Sequence, residues 1–247
     1  MTFNDSCPPP VLPADAASLA AAIEGSVLLP GEVGYDDERA VWNLNHELTP
    51  AVIVVPKSAA DVQAAVTFAA RQQRPVLVKN TGHQMVGKAQ GAVVIATHRM
   101  NDITIDAACC TARVGAGVLW SEVIAKAAKV GLAPLNGTNP TVGVVGYTLG
   151  GGLSPTLGRS HGYAADHVRS LDVVTADGKR RHVDAESEPD LFWPFAAARA
   201  TLQWSRPWNS TCFRCLASTP AASTSRVSGW PRCCELGPLG IQARRRR

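Results

Sequence analysis

Two loops in this chain carry residues that could do chemistry. The first holds Thr81-Gly82-His83, with Gly87 a few residues on. An imidazole there could take a proton, hydrogen-bond a ligand or act as a nucleophile. On spacing alone, a loop histidine with a satisfied hydrogen bond is the more common reading. The second loop, residues 137–152 (GTNPTVGVVGYTLGGG), has six glycines in sixteen residues and makes neither a good helix nor a good strand. Such a backbone can approach a large ligand closely and turn its N–H groups inward, which suits a pyrophosphate. It could equally be a tight connection between strands. Together, the two loops could clamp a long anionic ligand.

Other chemistries fit less well. Gly115-Ala116-Gly117 begins a dinucleotide fingerprint, but Trp120 stands where its third glycine belongs. No Gly-Lys-Ser/Thr closes a phosphate loop, and no His-Glu-x-x-His suggests zinc. Ser154 and Ser160 lack a nucleophile-elbow context. Cys212-x-x-Cys215 resembles half a metal site, and no second pair at ligand spacing supports it.

The elements that must position the loops follow from periodicity. Residues 16–29 have helical composition. Residues 51–55 (AVIVV) form a buried-strand run ending at Pro56. Ser58 can cap the next helix, with Asp61 in its first turn. Val62, Ala65, Val66 and Ala69 mark one apolar face through about Gln73. Strands are expected at 75–78, 93–97, 103–106 and 111–114. Trp120, Val123, Ile124 and Ala127 share a helix face, and Gly131 stops that helix. Residues 168–175 and 179–183 flank Asp177-Gly178, a hairpin turn. Strand–helix–strand units followed by a hairpin predict an α/β or α+β protein with two lobes.

The bulk numbers narrow the function class. The net charge of +4 equals the charge of Arg244–Arg247, so neither nucleic acid nor an anionic membrane is implied as a partner. No apolar run approaches the ~20 residues of a membrane span. The first residues, MTFNDSCPPP, lack the basic and apolar regions of a signal peptide, so a cytoplasmic location is the default expectation.

Residues from about 35 to 193 resemble the flavin-binding half of FAD-linked oxidases of the vanillyl-alcohol-oxidase (PCMH) and berberine-bridge-enzyme type. The matches run in order. Trp42-Asn43 comes first, then Pro50–Pro56 with Ser58 and Asp61-Val62. Val78–His83 and Gly115-Ala116-Gly117 with Trp120 follow. Pro140–Gly152 is the most specific piece. Gly162–Asp166, Val173–Gly178 and Asp190-Leu191-Phe192-Trp193 complete the set.

The resemblance implies an α+β fold whose PCMH-type FAD-binding domain has two α/β lobes with FAD between them. An N-terminal segment with a helix is expected at 1–46. The domain itself is expected at 47–193, with lobes at about 47–106 and 107–193. The resemblance places Asn80, Thr81, Gly82, His83, Gln84 and Gly87 on the FAD. Asn139, Thr141, Val142, Gly143, Gly146, Tyr147, Thr148, Gly150 and Val174 are placed there too. It implies that His83 bonds covalently to the flavin 8α-methyl. Some members add a cysteinyl bond at the position of Asn139, which Asn cannot form, so at most one linkage is expected. Lys79 and Thr81 depart from the commoner Arg and Gly. Tyr147 and His161 are expected near the flavin. The implied activity is hydride transfer from an alcohol, sugar or amine carbon of a small-molecule substrate to FAD, then electron transfer to O₂ or another acceptor. No catalytic base is assigned and no metal is expected. The alternatives are a flavin-binding remnant without turnover and a non-catalytic α/β scaffold.

After Trp193 the composition changes. The tail has four cysteines, no core pattern and the terminal Arg run. Restoring one base after the Trp193 codon lets the tail be read as a glycine-rich turn, a Val-rich strand and a further strand pair. The expectation is therefore a frameshift, with 194–247 an aberrant, disordered tail and the C-terminal substrate domain missing.

Overall fold

The computed structural model describes residues 10–43, 45–83 and 89–197, and the backbone strand 209–216. Helix α1 (Pro13–Ala21) is followed by strand β1 (Ser26–Leu28) and a short helix α2 (Tyr35–Arg39). Strand β2 (Val52–Val55), helix α3 (Ala59–Arg71), β3 (Val76–Lys79) and β4 (Val93–Ala96) complete the first lobe. Its sheet has the order β1-β2-β4-β3. β2, β4 and β3 run parallel, and β1 is antiparallel to β2. All four side chains of β2 and of β4 are buried, as expected for parallel strands covered on both faces.

The sequence reading of 16–29 as helical is corrected here. The helix ends at Ala21, and residues 26–28 pair with β2 instead. Local composition loses to a tertiary contact. The buried Asp61 carboxylate accepts hydrogen bonds from the Glu24 and Gly25 N–H groups, both at 3.0 Å, and from Lys57 N–H at 2.8 Å. A β-carbon on Gly25 would lie 2.1 Å from the Val55 carbonyl oxygen. Asp61 thus ties the entry to β1 onto the first turn of α3. Ser58 caps that helix as expected, its hydroxyl accepting from Asp61 N–H at 3.3 Å.

The second sheet comprises β5 (Ile103–Asp106), β6 (Thr111–Gly115), β7 (Val168–Val174), β8 (Arg180–Asp184) and β9 (Asn209–Leu216), in the order β5-β6-β9-β7-β8. Between β6 and β7 lie helices α4 (Trp120–Ala128), α5 (Val144–Leu149) and α6 (Gly158–His161). α7 (Pro189–Ala197) follows β8. β5 belongs to this sheet, so the sheets divide at the turn over Thr97–Arg99 rather than after residue 106. Ala112, Val114, Trp120, Val144, Leu171 and Val173 form the core of this lobe.

Two further elements differ from expectation. The glycine-rich loop contains α5, a six-residue helix. The stretch after residue 193 contributes β9, which fills the gap between β6 and β7 with Leu171 and Val114 both in register with Phe213. Without a strand there, β6 and β7 would each present an unpaired edge in mid-sheet. The rest of the expected disordered tail, 198–208 and 217–247, lies outside the described residues.

Among the described residues the lobes meet at two places. Gln63 on α3 donates to the Gly178 carbonyl at 2.8 Å, and Val174 from β7 is buried in the first lobe's core with Val62 and Val66. The second junction is the site itself.

Candidate cofactor site

β3 ends at Lys79 and delivers the loop Asn80–His83 to the junction of the lobes. The Asn80 amide donates to the Ala116 carbonyl at 3.2 Å. The Thr97 hydroxyl lies 3.3 Å from that carbonyl and 3.4 Å from the carbonyl of Lys79. These contacts explain Gly115-Ala116-Gly117 without a dinucleotide. A β-carbon on Gly115 would lie 2.2 Å from the Met100 carbonyl oxygen, and one on Gly117 2.2 Å from that of Thr97. Both glycines are there for backbone packing.

Beyond Asn80 the chain turns at Gly82, whose φ is +69° and whose carbonyl accepts from Trp42 N–H at 3.3 Å. His83 lies flat against the Trp42 indole, with centroids 4.6 Å apart and planes 11° apart. Its Nδ1 is 2.9 Å from the Thr81 hydroxyl. Among the described residues its buried Nε2 has no hydrogen-bond partner. The backbone N–H groups of Thr81, Gly82 and His83 likewise donate to no described residue. At the end of β3, Lys79 is buried and donates to the Glu38 carbonyl at 2.5 Å. Burial pushes its ammonium below the usual lysine range, and the Glu38 charge partly opposes this.

The glycine-rich loop faces this turn. Residues 140–144 run antiparallel to 118–121, with Trp120 N–H to Val142 O at 3.1 Å and Val144 N–H to Val118 O at 2.9 Å. Gly143 sits against Asn80, where a β-carbon would be 2.5 Å from the amide nitrogen. Asn139 uses its side-chain oxygen on Thr141, accepting from the N–H at 2.9 Å and the hydroxyl at 2.8 Å. The Tyr147 ring is wedged by glycine. β-Carbons on Gly137 and Gly152 would lie 2.8 and 2.7 Å from it, and Trp120 meets it edge-on at 5.5 Å. The buried Tyr147 hydroxyl lacks a partner among the described residues, as does Asn80 Oδ1, and burial raises the phenol's pKa.

The structure thus brings the Asn80–His83 turn against Gly143 through Asn80, and seats the Tyr147 ring among Gly137, Gly152 and Trp120. Other residues implied by the resemblance have different surroundings. The Thr148 hydroxyl donates back to Val144 O within α5, and Gly150 N–H donates to Gly146 O. Val174 is a core residue of the first lobe. His161 lies on α6 with Nδ1 2.8 Å from the Ser160 hydroxyl. Gln84 and Gly87 lie outside the described residues. Sequence reasoning missed the stacking role of Trp42, although the indole is 65% exposed and stands in a polar stretch. Thr97 and Ala116 were also missed, because their contacts to Asn80 and Lys79 span the lobes. Among the described residues no group of three or more His, Cys, Asp or Glu could hold a metal, and no helix is long and apolar enough to cross a membrane.

Residues 50–184, more than half of the chain, match the model of the FAD binding domain. The chain belongs to that FAD-binding family. Its relatives include FAD-linked oxidoreductases and proteins of the vanillyl-alcohol-oxidase and berberine-bridge-enzyme type. It is 34% identical over 179 residues to (R)-6-hydroxynicotine oxidase of Paenarthrobacter nicotinovorans, covering 72% of this chain and 39% of that enzyme. The BBE-like 1 protein of Physcomitrella patens superposes with a TM-score of 0.75 at 25% identity, over 82% of this chain and 44% of that one. Glucooligosaccharide oxidase from Acremonium strictum, described with a 6-S-cysteinyl, 8α-N1-histidyl FAD, gives 0.73 at 25% identity over 82% and 42%. The chain spans 39% or less of the length of the first three curated relatives it matches. The family's FAD-binding fold accounts for the two lobes and for the glycine-rich loop between them.

Proposed function

We propose that the facing loops 80–83 and 139–150 hold FAD, and that the protein acts as an FAD-dependent oxidoreductase. The observation that carries this reading is a set of three buried polar atoms on the two loops without partners among the described residues: Asn80 Oδ1, His83 Nε2 and Tyr147 OH. A buried polar group left unpaired costs about 1–3 kcal/mol, so three on two loops that meet at Asn80 and Gly143 favour a polar ligand there. The donor set fits FAD. Three successive backbone N–H groups, Thr81 to His83, suit a pyrophosphate. Gly143 leaves room for Asn80 to stay between the lobes.

When bound, FAD supplies the hydride-accepting chemistry. The chain's own residues bind and orient. Tyr147 keeps its proton and donates a hydrogen bond, because burial holds its pKa up. Trp42 covers one face of His83, and Trp120 backs Tyr147. His83 serves as the covalent anchor. Asn139 offers no thiol, so the linkage is single. The substrate class follows the relatives, which include oxidases named for a hydroxynicotine and for oligosaccharides. Hydride is taken from an amine, alcohol or sugar carbon, and electrons pass to O₂ or another acceptor.

The test is expression of the full chain with FAD supplied. Flavin absorbance that co-purifies, and flavin fluorescence that survives denaturing electrophoresis in wild type but vanishes in His83→Ala, are expected. Folded protein that retains no flavin would overturn the reading. Flavin retained without substrate oxidation would leave the binding assignment and remove the activity.

A further inference from the structure

We propose that Trp42 is a positioning residue for the cofactor turn: the arm Val41-Trp42 backs the Gly82–His83 peptide and aims its N–H at the ligand. This rests on the flavin reading above and adds a residue from outside the two loops.

The arm and the turn are tied at both ends. At the root, Lys79 donates to the Glu38 carbonyl at 2.5 Å, and the Glu38 carboxylate lies 3.4 Å from His98 Nε2. Glu38 belongs to α2, whose buried Tyr35 donates from its hydroxyl to the Pro50 carbonyl at 2.6 Å. Arg39 ends that helix and pairs with Asp36 and Glu47, both at 2.7 Å. At the tip, Val41 is buried, and its Cα, Cβ and Cγ1 each lie 3.1 Å from where a β-carbon on Gly82 would sit. Trp42 N–H then donates to the Gly82 carbonyl at 3.3 Å, and the indole lies flat on His83.

The carbonyl sets the direction. A trans peptide is planar, with its C=O and N–H on opposite sides. The Gly82 carbonyl points to Trp42, so the His83 N–H of the same peptide points away from the arm. Gly82 is left-handed, with φ of +69°, and N–H groups on either side of such a residue can converge on an anion. The arm therefore occupies the carbonyl side and leaves the N–H side to a pyrophosphate. A turn already held in this shape loses little conformational entropy on binding. The indole is 65% exposed, so filling the core is not its role.

The experiment uses the full chain, free of flavin, and two readouts. The first is amide hydrogen exchange, resolved by residue. Trp42→Ala should speed exchange at Thr81, Gly82 and His83 about two- to tenfold, the worth of one aromatic pair, and leave the amides of α3 unchanged. Trp42→Phe should restore the wild-type rates. The second is affinity for an FAD analogue lacking the 8-methyl group, which cannot bond covalently. It should fall by a similar factor in Trp42→Ala and recover in Trp42→Phe. Unchanged exchange at the turn in Trp42→Ala would overturn the proposal, as would faster exchange throughout the first lobe. Faster exchange at the turn with unchanged analogue affinity would also overturn it, since the arm would then hold a turn the ligand does not use. Folded wild type that binds no analogue would overturn the flavin reading instead, and the exchange rates would still decide whether the arm holds the turn.

Discussion

The Asn80 amide nitrogen lies 2.5 Å from where a β-carbon on Gly143 would sit, so the two loops touch through a residue that has no side chain. The contact sets the spacing of the lobes at the site. Gly143→Ala should cost about 1–3 kcal/mol, as overpacked sites do, read as a lower midpoint in chemical unfolding. Asn80→Ala in the same chain should relieve much of that loss. Additive losses in the double variant would show that the two residues do not press on one another.

Tyr147→Phe should act with opposite signs on stability and on binding. Its hydroxyl is buried without a partner. Removing it should leave the flavin-free protein unchanged or stabler by about 1 kcal/mol in thermal unfolding. In the His83→Ala background, where flavin is held without a covalent bond, its affinity should fall by about five- to tenfold in equilibrium dialysis, the worth of one hydrogen bond. Equal retention would place the hydroxyl off the ligand.

Asp61 predicts an acid-sensitive first lobe. Burial raises its pKa, but hydrogen bonds from Lys57, Glu24, Ser58 and Gly25 outweigh this and hold it below the usual carboxylate value. A carboxyl whose pKa is lower folded than unfolded contributes stability above its unfolded pKa of about 4. That contribution is lost as pH falls through the lower, folded value. Asp61→Asn should therefore cost about 1–3 kcal/mol near pH 7 and much less near pH 2. Denaturant titrations of both proteins across that range test it. A constant difference would assign Asp61 a role independent of its charge.

Gln63→Ala separates lobe docking from ligand binding. It removes the donor to the Gly178 carbonyl, at the junction away from the loops. A loss of about 1 kcal/mol in stability is expected, with the bound-flavin absorbance spectrum unchanged. A shifted spectrum would mean that this contact reaches the cofactor.

Much of the fold was legible because its signals were local. Ser58 with Asp61 marked the start of α3, the VIVV run marked a doubly covered strand, and Asp177-Gly178 marked a hairpin that β7 and β8 close. β1 was not legible, since three residues in an alanine-rich context are held by a carboxylate 36 or 37 positions away. α5 was hidden by its glycines. Its six residues owe their helix to the antiparallel seating of 140–144 on 118–121 and to the Trp120–Tyr147 contact. At the proposed site, spacing left His83 and the glycine loop open, and the family resemblance singled them out. The Trp42 stack and the Asn80–Ala116 bond are tertiary and leave no spacing to read.

Val174 belongs to the second sheet by chain and to the first lobe's core by packing, with 1% of its surface exposed. Swinging the lobes apart would strip that side chain, at about 1.5–3 kcal/mol before any other contact is counted. Val174 therefore pins the two lobes together and makes their separation rare. Cofactor present while the chain is still folding should be captured readily, whereas finished, empty protein should load slowly, at a rate set by the yielding of the Asn80–His83 loop.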